Sequence, residues 1–156
     1  MVKKSKLLGI ILSDNLKWDE HVEYICKKAR KRIWMLRRMM EFGLKYETIL
    51  DFYFKEITSI LEYCAVVFNS GLTKKLSDVR EGVQKIVLRL LSSYIGVKFT
   101  YNEACIFFSV EALSSRRRDM SCTWIKRTLA NPKHREMFTM AQNTHDTRNS
   151  KVTLKE

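Results

Sequence analysis

The sequence predicts a mainly α-helical protein, a helical bundle of about four to five helices preceded by one short N-terminal β-strand. Apolar residues recur at steps of three, four and seven over long stretches, as on one face of a helix. The 156 residues include only one proline and five glycines, which disfavours a turn-rich β-sandwich. Hydrophobic residues make up 46% of the chain, enough for a buried core.

Residues 1–17 are interpreted as a strand followed by a turn. Residues 7–12 are apolar and partly β-branched, and the turn-like Ser13-Asp14-Asn15 follows them, so we expect a buried strand. A single strand leaves its edges unpaired and needs a hairpin partner or a larger sheet. No signal peptide or transmembrane segment is recognised, which favours an intracellular protein, nuclear or cytoplasmic.

The first predicted helix runs from Asp19 to Glu41, with Gly43 as the residue that ends it. One face is apolar: Val22, Ile25, Cys26, Ala29, Ile33, Leu36 and Met40. The remaining surface is cationic, with Lys27, Lys31 and Arg38 opposite the apolar face and Lys28, Arg30, Arg32 and Arg37 beside it. Trp34 projects to within about 40° of the centre of the basic face.

Two further helices are expected to complete a three-helix bundle over residues 18–93. The second covers residues 46–67, is apolar on more than one face and should lie at the buried centre. The third covers residues 74–91 and begins after Thr73, a suitable N-cap. Gly82 inside it should cost about 1 kcal/mol relative to alanine.

Residues 94–138 are expected to form a C-terminal helical region, and residues 139–156 a polar, disordered tail. Ser114 or Ser115 is the predicted N-cap of its longer helix. Arg116 and Arg117 then fall in the first turn, where the helix dipole disfavours cations, so an external anion is one interpretation and plain solvent exposure another.

The net charge of +12 and a pI near 9.7 suit a polyanionic partner: RNA, DNA or an anionic membrane surface. A basic helix that carries an indole suits a phosphate backbone, and the alternative is a solvated face whose Trp34 packs on a neighbouring element. The four cysteines and three histidines are widely spaced, so no metal site and no cofactor are predicted.

Several short motifs follow one another in a specific order. They are Leu8-Gly9-Ile10-Ile11-Leu12, Leu16-x-Trp18, the stretch HVEYICKKARKR from His21 to Arg32, Phe42-Gly43-Leu44, Ile60-Leu61-Glu62-Tyr63-Cys64-Ala65, Ser70-Gly71-Leu72-Thr73, Val83-Gln84-Lys85, Leu113-Ser114 with Arg116-Arg117, and Asn131-Pro132-Lys133-His134. Their order over residues 6–138 resembles the C-terminal part of reverse transcriptases from non-LTR (LINE-type) retrotransposons. Each motif is weak alone, and the specificity lies in the order.

The resemblance implies that residues 1–17 are the strand and turn leaving the polymerase palm and that residues 18–93 are a thumb-like bundle. In this family the thumb grips the template-primer duplex. It thus implies that seven cations of the first helix face the phosphates of an RNA–DNA hybrid or duplex: Lys27, Lys28, Arg30, Lys31, Arg32, Arg37 and Arg38. Trp34 is expected to stack on a base or sugar edge, and the alternative is contact with the palm. Arg116 and Arg117 complete the predicted nucleic-acid-binding residues. Where the family reads Pro-x-Trp, this chain has Val66-Val67-Phe68, and loss of the proline predicts a straighter second helix.

Polymerisation in this family needs palm carboxylates that hold two metal ions. They include an Asp-Asp pair upstream of the matching region, and this chain contains no Asp-Asp. We therefore expect a non-catalytic fragment of a reverse transcriptase and no enzymatic activity. The alternative is an all-α protein-interaction module or inert remnant, in which exposed apolar surface supports self-association or a protein partner. Membrane attachment is less favoured, because the apolar face has the width of a core-facing helix.

Overall fold

A computed structural model describes residues 4–15 and 17–135, and it confirms the mainly α-helical fold with a short β-structure at the N-terminus. The chain divides into two compact units, residues 1–124 and 125–156. The expected tail, residues 139–156, lies outside the described residues.

The N-terminal β-structure is a two-stranded antiparallel hairpin. Strand β1 is Lys4–Leu7 and strand β2 is Ile10–Ser13, with Leu7 opposite Ile10. Leu8 (φ 47°) and Gly9 (φ 86°) form the two-residue loop, both in the left-handed region that such hairpin loops require. The prediction of one strand across residues 7–12 was therefore wrong. Residues 4–7 are the hairpin partner that pairs with the edge of the strand at residues 10–13.

Helix α1 is Asp19–Glu41, which confirms both predicted ends. Gly43, at φ +70°, donates its N–H to the carbonyl of Met40 at 3.0 Å and so ends the helix with a left-handed residue. His21 is fully buried beside the hairpin, and its Nδ1 accepts a hydrogen bond from the Ile11 N–H at 3.3 Å.

The second predicted helix is interrupted. It consists of α2 (Tyr46–Phe52), a π-helical turn (Tyr53–Thr58) and α3 (Ser59–Glu62), and it stops where Cys64 adopts φ +52°. A short helix α4, Ala65–Phe68, and a 3₁₀ turn, Asn69–Gly71, follow. The expected straighter run to residue 67 was wrong, because the reversal at Tyr63-Cys64 ends the helix without a proline.

Helix α5 is Lys74–Tyr94, and Thr73 caps it as predicted, its Oγ1 accepting from the Leu76 N–H at 3.3 Å. Helix α6 is Tyr101–Phe107, helix α7 is Leu113–Ala130 and helix α8 is Pro132–Arg135. Ser114 and Ser115 lie inside the first turn of α7 and are not its N-cap. The core is formed by the inner faces of α1, the segment 46–62 and α5.

Candidate nucleic-acid interface

The basic helix presents its cations to solvent. The buried residues of α1 include Val22, Ile25, Ala29, Ile33 and Leu36, which leaves the intervening positions outside. The predicted site residues on this helix are all exposed: Lys27, Lys28, Arg30, Lys31, Arg32, Trp34, Arg37 and Arg38. Trp34 is 60% exposed, which confirms that the indole is not a core residue.

These cations differ in how far they are already neutralised. Arg38 donates from Nη1 to Oε2 of Glu41 at 2.6 Å, and Arg32 Nε lies 3.7 Å from Oε2 of Glu56. Within residues 4–15 and 17–135, no carboxylate forms a salt bridge with the other five: Lys27, Lys28, Arg30, Lys31 and Arg37. These five are the cations of α1 that an external anion can neutralise without displacing an internal partner.

A groove between α1 and α5 runs beside this basic face. A cavity of about 680 Å³ is lined by Asp19, Val22, Glu23, Cys26, Lys27, Arg30, Lys31, Leu76 and Val79. A second cavity of about 280 Å³ is lined by Arg30, Ile33, Trp34, Arg37 and Ile86. Arg30 lines both cavities, so they adjoin. Asp19 and Glu23 give one end a negative rim, and the positive part extends from Lys27 to Arg37.

Space is open beside Gly82, near the middle of α5. A Cβ atom added to Gly82, which lies between Val79 and Ile86, would meet no heavy atom within 4 Å. The helical period of the sequence predicted the face of α1 on which the cations lie, but the groove depends on where α5 packs. The sequence signal for this groove was the seven-residue spacing of Val79 and Ile86, which places both on one face of α5.

Arg116 and Arg117, the two site residues predicted on α7, are turned toward the protein. Arg116 makes a bidentate contact with Glu62, Nε–Oε1 at 2.7 Å and Nη2–Oε2 at 3.0 Å. Arg117 is only 2% exposed and donates to Oδ1 of Asn69 at 3.2 Å and to Oγ of Ser77 at 2.6 Å. Both are therefore removed from the candidate interface, because Arg116 is paired with Glu62 and Arg117 is buried with Asn69 and Ser77 as its hydrogen-bond partners.

Arg80 is a buried cation that the sequence analysis missed. It is fully buried, donates to the carbonyl of Leu61, and its guanidinium lies 5.0 Å from the centre of the Phe68 ring. Burial first, and the neighbouring Arg117 second, lower the pKa of Arg80 to about 10, so it remains charged at neutral pH. The signal was its spacing from Leu76 and Val83, which places it on the inner face of α5.

No group of three or more His, Cys, Asp or Glu side chains among the described residues is arranged to hold a metal ion. Residues 4–15 and 17–135 also contain no helix that is both long and apolar enough to cross a membrane. The arrangement is suited to electrostatic binding of an anionic polymer along α1.

No family model, curated protein or solved structure matches this chain.

Proposed function

We propose that this chain is a non-catalytic fragment of a non-LTR retrotransposon reverse transcriptase and binds nucleic acid, independently of sequence, through the basic face of α1. The observation that carries the proposal is a set of five exposed cations on one helix that have no salt-bridge partner within residues 4–15 and 17–135: Lys27, Lys28, Arg30, Lys31 and Arg37. Each phosphate that such a cation neutralises releases condensed counterions, which favours binding at low salt.

The size of the basic face supports a polymeric ligand. Lys27 and Arg37 are ten residues apart, which corresponds to about 15 Å along a helix axis. Duplex DNA presents one phosphate per ~1.7 Å of axis, so it carries roughly nine charges over that length. A small anion would engage only one or two of the cations, whereas a backbone lying along α1 engages several.

The resemblance supports the assignment to the reverse-transcriptase thumb. The motif from His21 to Arg32 resembles the opening thumb helix and lies in the first half of α1. It contains four of these five cations: Lys27, Lys28, Arg30 and Lys31.

The second candidate is a protein-interaction module, and exposed apolar residues favour it. Ile106 is 79% exposed and Phe107 is 52% exposed at the end of α6, while Leu8 in the hairpin loop is 81% exposed. Large exposed side chains of this kind support association with a protein or with a second copy of the chain.

Salt has opposite effects on the binding that the two candidate functions predict. We expect a fluorescently labelled RNA–DNA hybrid to bind in an anisotropy titration at low salt and to dissociate at higher salt, because phosphate contacts are screened. Association through apolar side chains persists or strengthens with salt. Absence of hybrid binding at low salt, by protein whose circular dichroism shows the expected helix content, would contradict the proposed function.

A further inference from the structure

The smaller cavity of the α1–α5 groove has the composition of a base-binding pocket. Ile33 and Ile86 supply its apolar lining, Trp34 an aromatic ring, and Arg30 and Arg37 two cations without a described carboxylate partner. Its volume of about 280 Å³ is just below the range of pockets for drug-sized ligands, roughly 300–1,000 Å³, and suits one heterocyclic ring system.

Trp34 is held by its neighbours on the same helix. The guanidinium of Arg38 lies over the indole, 5.6 Å from the ring centre, and donates to Glu41 at 2.6 Å. This cation–π contact restrains the ring, and the ion pair restrains the arginine. Because 60% of Trp34 remains exposed, the ring still has surface available to a ligand.

We infer that this pocket takes one unpaired nucleobase of a single-stranded nucleic acid, stacked on Trp34, with the adjoining phosphates at Arg30 and Arg37. The inference rests on the proposed function and specifies its ligand. Bases in an intact duplex are stacked on one another and cannot enter, whereas an unpaired base exposes its ring faces and is attached to two phosphates. An apolar side chain of a protein partner would contact Ile33 and Ile86, but it would leave the guanidinium groups of Arg30 and Arg37 without an anion to bind.

The test compares two DNA strands of equal length and charge, oligo(dT) and a strand of abasic residues. We expect oligo(dT) to bind about five-fold more tightly or better, the lower end of what one base–aromatic stack contributes. Trp34→Ala should remove this preference, because it should weaken the binding of oligo(dT) more than the binding of the abasic strand. Trp124→Ala, at an exposed tryptophan outside the pocket, should retain the preference and is the matched control.

The outcomes separate the two proposals. If both strands bind in a salt-dependent manner but with equal affinity, the base pocket is wrong and phosphate binding by α1 stands. If neither strand nor the hybrid binds, both are wrong. If Trp34→Ala weakens the binding of both strands by the same factor, Trp34 does not distinguish a base from a backbone. The proposed base pocket is then wrong. Trp34→Phe, which keeps an aromatic ring, should preserve part of the preference.

Discussion

At the scale of single residues, Glu62 is one of two buried carboxylates, with Glu81, that compensate a group of cations. It is 9% exposed, pairs with Arg116, and lies close enough to Arg80 and Arg117 to oppose the lowering of their pKa values. Several N–H groups of this cluster, Arg80 Nε and Nη1 and Arg117 Nη1, have no hydrogen-bond partner among the described residues. Removal of the Glu62 charge would leave Arg116 without its ion-pair partner, and would leave Arg80 and Arg117 with Glu81 as the nearby carboxylate.

We predict that Glu62→Gln lowers the free energy of unfolding by about 2–4 kcal/mol, somewhat less than for a fully buried pair because Arg116 is partly exposed. Urea denaturation at pH 7 measures this change. Glu41→Gln, which removes the partner of Arg38 in a pair that is more than half exposed on both sides, is the control and should change stability by less than about 1 kcal/mol. Equal effects of the two variants would show that the internal cluster is not stabilised by Glu62.

The buried position of His21 leads us to predict that the folded protein loses stability in mild acid. Burial first, and the positive charge of Arg80 second, lower the pKa of His21 below 6.5 in the folded protein. Below pH 6.5 the unfolded chain binds a proton there before the folded protein does, so stability falls as pH decreases, by up to about 1.4 kcal/mol per pH unit. Protonation of Nδ1 would also break the hydrogen bond from Ile11.

The measurement is urea denaturation at pH 7.5 and pH 5.5. We expect His21→Gln to lose less stability than the wild type over this interval, and His134→Asn, at an exposed histidine, to behave like the wild type. If the wild type and His21→Gln lose the same amount, protonation of His21 does not contribute.

At the scale of elements, two glycines predict opposite effects of the same substitution. A Cβ atom at Gly71 would lie 2.5 Å from Nε1 of Trp18, whereas one at Gly82 meets nothing within 4 Å. Gly71→Ala should therefore destabilise the protein by about 1–3 kcal/mol through overpacking. Gly82→Ala, inside α5, should stabilise it by about 1 kcal/mol through helix propensity. Thermal and urea denaturation compare the two, and a stabilising Gly71→Ala would show that Trp18 does not pack as described.

The elements also differ in how far the sequence could predict them. The ends of α1 were predictable because its apolar repeat is long and Gly43 follows it. The break at Tyr63-Cys64 was not, because neither residue is a usual helix breaker and the left-handed φ of Cys64 arises in the folded chain. The hairpin loop was missed because Leu8 occupies a position that asparagine or aspartate usually signals.

At the scale of the whole molecule, the sequence predicted which cations of α1 face solvent but not what lies beside them. Exposure follows from the helical period of one segment, whereas the groove depends on the packing of α5 against it. Arg116 and Arg117 could not be assigned from the sequence for the same reason, since their partners Glu62, Asn69 and Ser77 lie at least 40 positions away in the chain.

The net charge of +12 makes weak binding to any polyanion expected, so the central claim concerns where the contacts are made. A triple variant, Lys27→Gln, Lys31→Gln and Arg37→Gln, removes three unpaired cations from α1. The matched control, Lys45→Gln, Lys98→Gln and Arg118→Gln, removes the same charge from exposed positions outside α1.

The most direct measurement is the slope of log affinity against log salt for a labelled duplex, in the wild type and both triple variants. Each phosphate contact contributes about 0.9 to the slope on B-DNA, so we predict that the α1 variant reduces it by about 2–3 and weakens binding at low salt. The control variant should change the slope by less than about 1. Equal slopes for the two variants would contradict the assignment of nucleic-acid binding to the basic face of α1.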